Sequence, residues 1–168
     1  IESHITQLEE NAAKTKFEEM SKSKKIVLNK EFLDLPDKIV INNTCKEDFT
    51  KHLYEKAGIL NSEEAKLALK VDSLDNILWW YRSPEKKEEA IYLQGWNKNK
   101  FYPDFIIKTK KGNYILTEYK GEHLVTNDDT EYKKELGEKW AEIAPKNYSF
   151  QLVSKERIED FMKDLESL

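Results

Sequence analysis

One cysteine, Cys45, stands alone in 168 residues, so no internal disulfide can staple this chain. A reducing, cytoplasmic setting is expected from that usage. No apolar run approaches the roughly 18 residues of a membrane span; the longest, Ile77-Leu78-Trp79-Trp80-Tyr81, falls far short, and no membrane partner is expected. Glycine (5) and proline (4) are sparse, and neither a low-complexity segment nor an internal repeat interrupts the chain. A Gly-x-x-x-x-Gly-Lys-Ser/Thr phosphate loop is also missing, which excludes an ATPase within these residues. An overall basic excess is lacking too: the net charge is −4, unusual for a protein that holds duplex DNA unaided.

What remains is 39% apolar, 36% charged and 11% aromatic, a mixture able to bury a core under a heavily solvated surface. The charge is unevenly spread. From Lys98 to Lys120, six lysines (98, 100, 108, 110, 111 and 120) face only Asp104 and Glu118. The first residue is Ile1, not Met, and the chain reads as a piece of a longer protein. Residues 1–45 are expected to form an N-terminal helix and connector, and 46–168 the domain proper.

Ile1, Ile5, Leu8, Ala12 and Met20 recur near one face of a helix over residues 1–22. Short strands are expected at Lys25–Leu28 and Lys38–Ile41, and a helix from Lys46 to Ala57, stopped by Gly58. Asn61 or Ser62 can cap a helix carrying Glu63, Glu64, Leu67, Ala68 and Val71. Strands follow at Ile77–Arg82, Ile91–Trp96, Phe105–Thr109 and Tyr114–Lys120. A helix from Glu131 to Ile143, a strand Tyr148–Val153 and a helix Lys155–Leu165 complete an α/β arrangement, a mixed central sheet flanked by helices.

The hairpin carries the chemistry. With Lys110-Lys111-Gly112 as a three-residue loop and Gly112 at its left-handed position, paired residue numbers sum to 222. That register sets Asp104 opposite Glu118, with Lys120 two residues on and on the same face. Ile106 and Leu116 share the acidic face; Phe105, Ile107 and Ile115 take the other, as in a strand pair covered on both sides. Opposed side chains have Cβ atoms roughly 4.5–5.5 Å apart, so two carboxylates there can share one cation. Hard oxygen ligands with open positions suit Mg²⁺, and a lysine beside them can orient a water or stabilise charge on a phosphate. The competing reading is plain strand-end charge.

Pro103-Asp104 followed by Glu118-Tyr119-Lys120 resembles the signature of the nuclease superfamily named for its Pro-Asp…Asp/Glu-x-Lys motif. That motif is short and degenerate. Its surroundings are similar to the C-terminal endonuclease region of type III restriction subunits and their helicase-fused relatives. They include Glu64 with Leu67, Ala68 and Asp72; Trp79 to Arg82; Leu93 to Trp96; Phe101 to Ile106; Lys120 to Leu124; and Leu136 to Ala141. The likeness covers residues 50–153 and is weak before 45.

The resemblance implies a restriction-endonuclease-like fold and Mg²⁺-dependent cleavage of double-stranded DNA, with Mn²⁺ as a substitute. It also implies a translocase on the same full-length chain, through which alone ATP enters, and a methyltransferase or specificity subunit as partner. Asp104 and Glu118 match its metal-binding acids, Lys120 its catalytic lysine, and Glu64 (or Glu63, one position away) its upstream acid. The backbone carbonyl of Tyr119 is a further metal ligand candidate. Lys133, Lys108, Arg82 and His123 are candidate DNA contacts, each of which can equally be a solvated side chain. Trp79, Trp80 and Trp96 can stack on bases but more commonly fill core. Two other function classes stand beside the nuclease: a non-catalytic module of the same fold that binds DNA or couples a motor, and a glycoside hydrolase using two carboxylates. The tight separation and the lysine disfavour the last.

Overall fold

Gly112 has φ +90°, and around it Thr109 N–H donates to the Asn113 carbonyl (2.9 Å) while Gly112 N–H donates to Thr109 (3.0 Å). This three-residue turn fixes the register of the two strands it joins. In the computed structural model, which describes residues 2–22, 35, 37–39, 41, 43–84, 90–97, 99–121 and 128–168, β2 (Phe105–Thr109) and β3 (Tyr114–Lys120) pair antiparallel. Phe105 faces Thr117, Ile106 faces Leu116 and Ile107 faces Ile115, the alignment expected from the loop.

Strand β1 (Ile77–Arg82) adds antiparallel to β2, with an irregularity between Ile77 and Trp79 that leaves Leu78 exposed. Strand β4 (Tyr148–Ser154) adds parallel to β3, giving a mixed four-stranded sheet in the order β1-β2-β3-β4. A parallel neighbour needs a crossover, and helix α3 (Asp128–Ile143) lies on that connection. The chain is therefore α/β, with a mixed sheet flanked by helices. No helix among the described residues is long and apolar enough to cross a membrane.

Both faces of the sheet are covered. Phe105, Ile107 and Ile115 pack with Leu67, Ala68 and Val71 of α2 (Ser62–Ser73) and with Phe161, Met162 and Leu165 of α4 (Ile158–Ser167). Ile106 and Leu116 pack on the other face with Tyr132, Leu136 and Trp140 of α3 and with Ile91, Leu93 and Phe101. The alternation along the hairpin thus sorts its residues onto two cores. Helix α2 starts where a reciprocal cap satisfies its first donors: the Asn61 carboxamide accepts the Glu63 and Glu64 N–H groups, and Glu64 accepts that of Asn61.

Local periodicity misleads in four places. Residues 46–57 form no helix. Asp72 accepts the Thr50 and Lys51 N–H groups, the Thr50 hydroxyl and the Trp80 indole N–H. Leu53 and Lys51 exchange backbone bonds with Trp80 at the edge of β1 (2.8 and 2.9 Å). Those distant partners claim the donors a helix would have used internally.

Residues 91–96 form no strand either. Leu93 and Phe101 make one isolated bridge, while Gly95 N–H donates to the Tyr132 hydroxyl and Trp96 packs edge-on against the Tyr132 ring. Helix α1 (Glu2–Lys22) forms as expected but turns a different face inward. Phe17 packs against Trp96 and Lys14 pairs with Glu135, leaving Ile5 52% and Leu8 68% exposed. The expected strand Lys25–Leu28 lies outside the described residues, and Lys38, Ile39 and Ile41 are not in a strand.

Candidate active site

Antiparallel partners alternate between pairs that exchange hydrogen bonds and closer pairs that do not. Because Thr109 bonds to Asn113, the ladder makes Ile107–Ile115 and Phe105–Thr117 the bonded pairs and Ile106–Leu116 a close one. One step further, Asp104 and Glu118 fall on a close position, on the face that α3 covers. There the ladder ends. The Tyr119 N–H donates instead to Asp104 Oδ2 at 2.8 Å, so a side chain replaces the next backbone bond. The N–H and C=O of one strand residue point the same way, so the Tyr119 carbonyl also turns toward Asp104.

Both acids are buried, Glu118 to 3% exposure. Two sets of cations hold them. Arg82, ending β1, lies 3.5 Å from Asp104 Oδ1 and 3.3 Å from Glu64 Oε1 through the same Nη2. Lys120 and Lys133 reach Glu118 Oε1 at 2.9 and 3.0 Å, and Lys133 also pairs with Asp129 one helical turn before it (3.3 Å). Among the described residues, with every group ionised, four carboxylates (Glu64, Asp104, Glu118 and Asp129) face three cations (Arg82, Lys120 and Lys133), leaving one net negative charge.

Burial pushes the Asp104 carboxyl up to about 7, and the neighbouring Glu118 charge adds to this; Arg82 and the Tyr119 N–H pull the other way without cancelling it. Burial works against the Lys133 ammonium, but Glu118 and Asp129 outweigh it and hold this lysine above its ordinary range.

The raised Asp104 value makes the metal-free protein pH-sensitive. A carboxyl whose folded value exceeds its unfolded value stabilises fully below the unfolded value, near 4, and loses that contribution as pH rises through about 7. In EDTA, wild type is therefore expected to lose on the order of 3 kcal/mol relative to Asp104→Asn between pH 4.5 and 8. Urea unfolding of both chains across that range checks it, and parallel stability curves would contradict it.

Of the residues expected from sequence, Asp104, Glu118, Lys120, Glu64, Arg82 and Lys133 come together. Lys108 does not: it sits toward the far end of β2, its ammonium over the rings of Trp79 and Tyr114. His123 lies outside the described residues. Trp80 is fully buried core, and Trp79 and Trp96 are half-buried against other rings. Glu63 is the wrong neighbour for this cluster: its carboxylate sits by Gly121 and the Tyr119 ring, not by Asp104. Among the described residues Glu64 meets the cluster through its contact with Arg82 and through its charge near Asp104, while its other oxygen closes the cap of α2. Sequence reading missed Asp129, although its i,i+4 spacing to Lys133 was visible.

The donor set fits a divalent ion. Glu118 Oε2 is buried and has no hydrogen-bond partner among the described residues, and a buried acceptor left unsatisfied is costly. Asp104 Oδ1 has, among the described residues, only the long Arg82 contact. Among the described residues no three His, Cys, Asp or Glu side chains are grouped as a ready ligand set. Asp104 and Glu118, with the Tyr119 carbonyl as a further candidate, are the groups that would hold such an ion, water completing its shell as Mg²⁺ prefers. No family model, no curated protein and no solved structure matches this chain.

Proposed function

We propose that this chain is a Mg²⁺-dependent DNA endonuclease domain of the Pro-Asp…Asp/Glu-x-Lys type, belonging to a restriction subunit of type III character. The reading rests on one observation above all: the buried Asp104–Glu118 pair beside the Lys120 ammonium, with a Glu118 oxygen that has no hydrogen-bond partner among the described residues.

A bound Mg²⁺ would polarise the phosphodiester and lower the pKa of a coordinated water. The protein's own part is electrostatic and positional. Tyr119 N–H fixes Asp104 Oδ2, which presents Oδ1. Lys120 and Lys133 flank Glu118 and bring two ammonium groups to where negative charge grows on the phosphate as water adds to phosphorus and the P–O bond breaks. The translocase, the ATP it uses and the methyltransferase or specificity subunit belong to the same proposal, outside these residues.

A second reading has its own support: both lysines already neutralise Glu118 Oε1, as in a closed structural ion cluster. It makes the chain a non-catalytic DNA-binding or coupling module. Nicking of supercoiled plasmid by the chain in Mg²⁺ or Mn²⁺, suppressed by EDTA, is expected from the nuclease. Calorimetry that detects no divalent-ion uptake would decide for the module.

A further inference from the structure

We propose, on the reading of this site as a metal centre, that Glu64 is a positioning residue that never touches the ion: its charge draws the Arg82 guanidinium partly off Asp104 Oδ1 and so keeps that oxygen open to a divalent cation.

Three observations carry this. Asp104 Oδ2 is already taken by the Tyr119 N–H at 2.8 Å, so Oδ1 is the atom with capacity to spare. The same Arg82 Nη2 that approaches Oδ1 at 3.5 Å lies slightly nearer Glu64 Oε1, at 3.3 Å; one amino group is divided between two acids. A swing of Glu64 toward the ion would break the bond from the Asn61 N–H to its Oε2 (3.0 Å), which closes the cap of α2.

Arg82 is meanwhile tethered by Nη1, which donates to the Ser83 carbonyl at 2.7 Å, so its freedom is a small swing between the two carboxylates. Removing the Glu64 charge leaves Asp104 as the remaining carboxylate on that Nη2, and the guanidinium then competes directly with a divalent ion for Oδ1. The cap of α2 thereby sets how strongly an arginine guards an acid on the sheet.

Mn²⁺ calorimetry at one fixed pH on wild type, Glu64→Gln, Arg82→Gln and the double variant tests this. The glutamine oxygen can still accept the Asn61 N–H, so α2 keeps its cap, and thermal melts check that. Glu64→Gln is expected to bind Mn²⁺ about tenfold more weakly than wild type, within the range for residues that support a ligand. In the Arg82→Gln background the same change is expected to move affinity by no more than about twofold, since the effect runs through the arginine. Arg82→Gln alone is expected to bind at least as tightly as wild type, a result that stands even if Glu64→Gln fails to fold.

An equal loss from Glu64→Gln in both backgrounds would mean that Glu64 meets the ion directly and would overturn the inference. Weaker binding in Arg82→Gln, or undiminished binding in Glu64→Gln, would overturn it as well. A wild-type chain that takes up no Mn²⁺ overturns the metal-centre reading and this inference together, and the first titration separates that outcome from the others.

Discussion

A Glu118→Gln chain is expected to fold and to cleave DNA about 10³-fold more slowly than wild type in Mg²⁺. The substitution keeps the shape of the side chain and removes the charge that, with Asp104, would hold the ion. It also removes the anion shared by Lys120 and Lys133. Asp129 remains 3.3 Å from Lys133 and 3.9 Å from Lys120, so the two ammonium groups are not left without a counter-charge. The folding penalty is accordingly held to about 1–3 kcal/mol.

Asp104→Ala is expected to lose cleavage to the same degree, since it deletes the other carboxylate of the buried pair. Lys120→Ala should fall by about 10²–10³, as for other groups that stabilise developing charge. Plasmid nicking rates, with circular dichroism to confirm folding, measure all three. Cleavage that survives equally in the three chains would assign the activity to a contaminant and end the nuclease proposal.

The second large effect is on stability. Gly137 lies in the middle of α3, where helix propensity alone predicts that alanine stabilises by about 1 kcal/mol. The structure predicts the opposite. A Cβ at position 137 would lie 2.4–2.5 Å from three Phe150 ring atoms, including the ring carbon nearest the backbone, so the ring cannot escape by moving only its tip. Phe150 is buried and set edge-on to Phe101, which limits its retreat.

Gly137→Ala is therefore expected to destabilise by about 2–3 kcal/mol, the range for overpacking a tight core. Pushing α3 outward would also carry Lys133 away from Glu118, so cleavage should fall with stability. Urea denaturation of Gly137→Ala, and of Gly137→Ala with Phe150→Leu to relieve the clash, gives the measurement. An alanine chain more stable than wild type would show that α3 does not approach β4 this closely.

The parts of the molecule legible in its sequence are those specified by neighbours in the chain. Gly112 sets the hairpin register, because a three-residue loop demands φ > 0 there, and the register runs to Phe105 facing Thr117, with Asp104 and Glu118 next beyond the paired residues. The alternation of Phe105, Ile106 and Ile107 sorts correctly between the two cores for the same local reason. Residues 46–57 and 91–96 fail because their partners are remote: Asp72 and Trp80 for the first, Tyr132 and Phe101 for the second. Arg82 was legible as a cation at a strand end, but not as the link between Glu64 and Asp104, since three separate elements meet there. On α1, the Phe17–Trp96 contact outweighs the aliphatic stripe, a choice that no periodicity of the helix itself reveals.

The parallel pairing of β3 with β4 has a consequence for how such a chain can be recombined. With a parallel partner next in line, the helix between them begins near the end of β3, where Glu118 and Lys120 stand, so Asp129 and Lys133 arrive at the acids through chain connectivity. Residues 101–154 therefore travel as a cassette: a crossover exchanging that block intact would transplant both acids and both lysines, whereas a breakpoint inside it would divide them between parents.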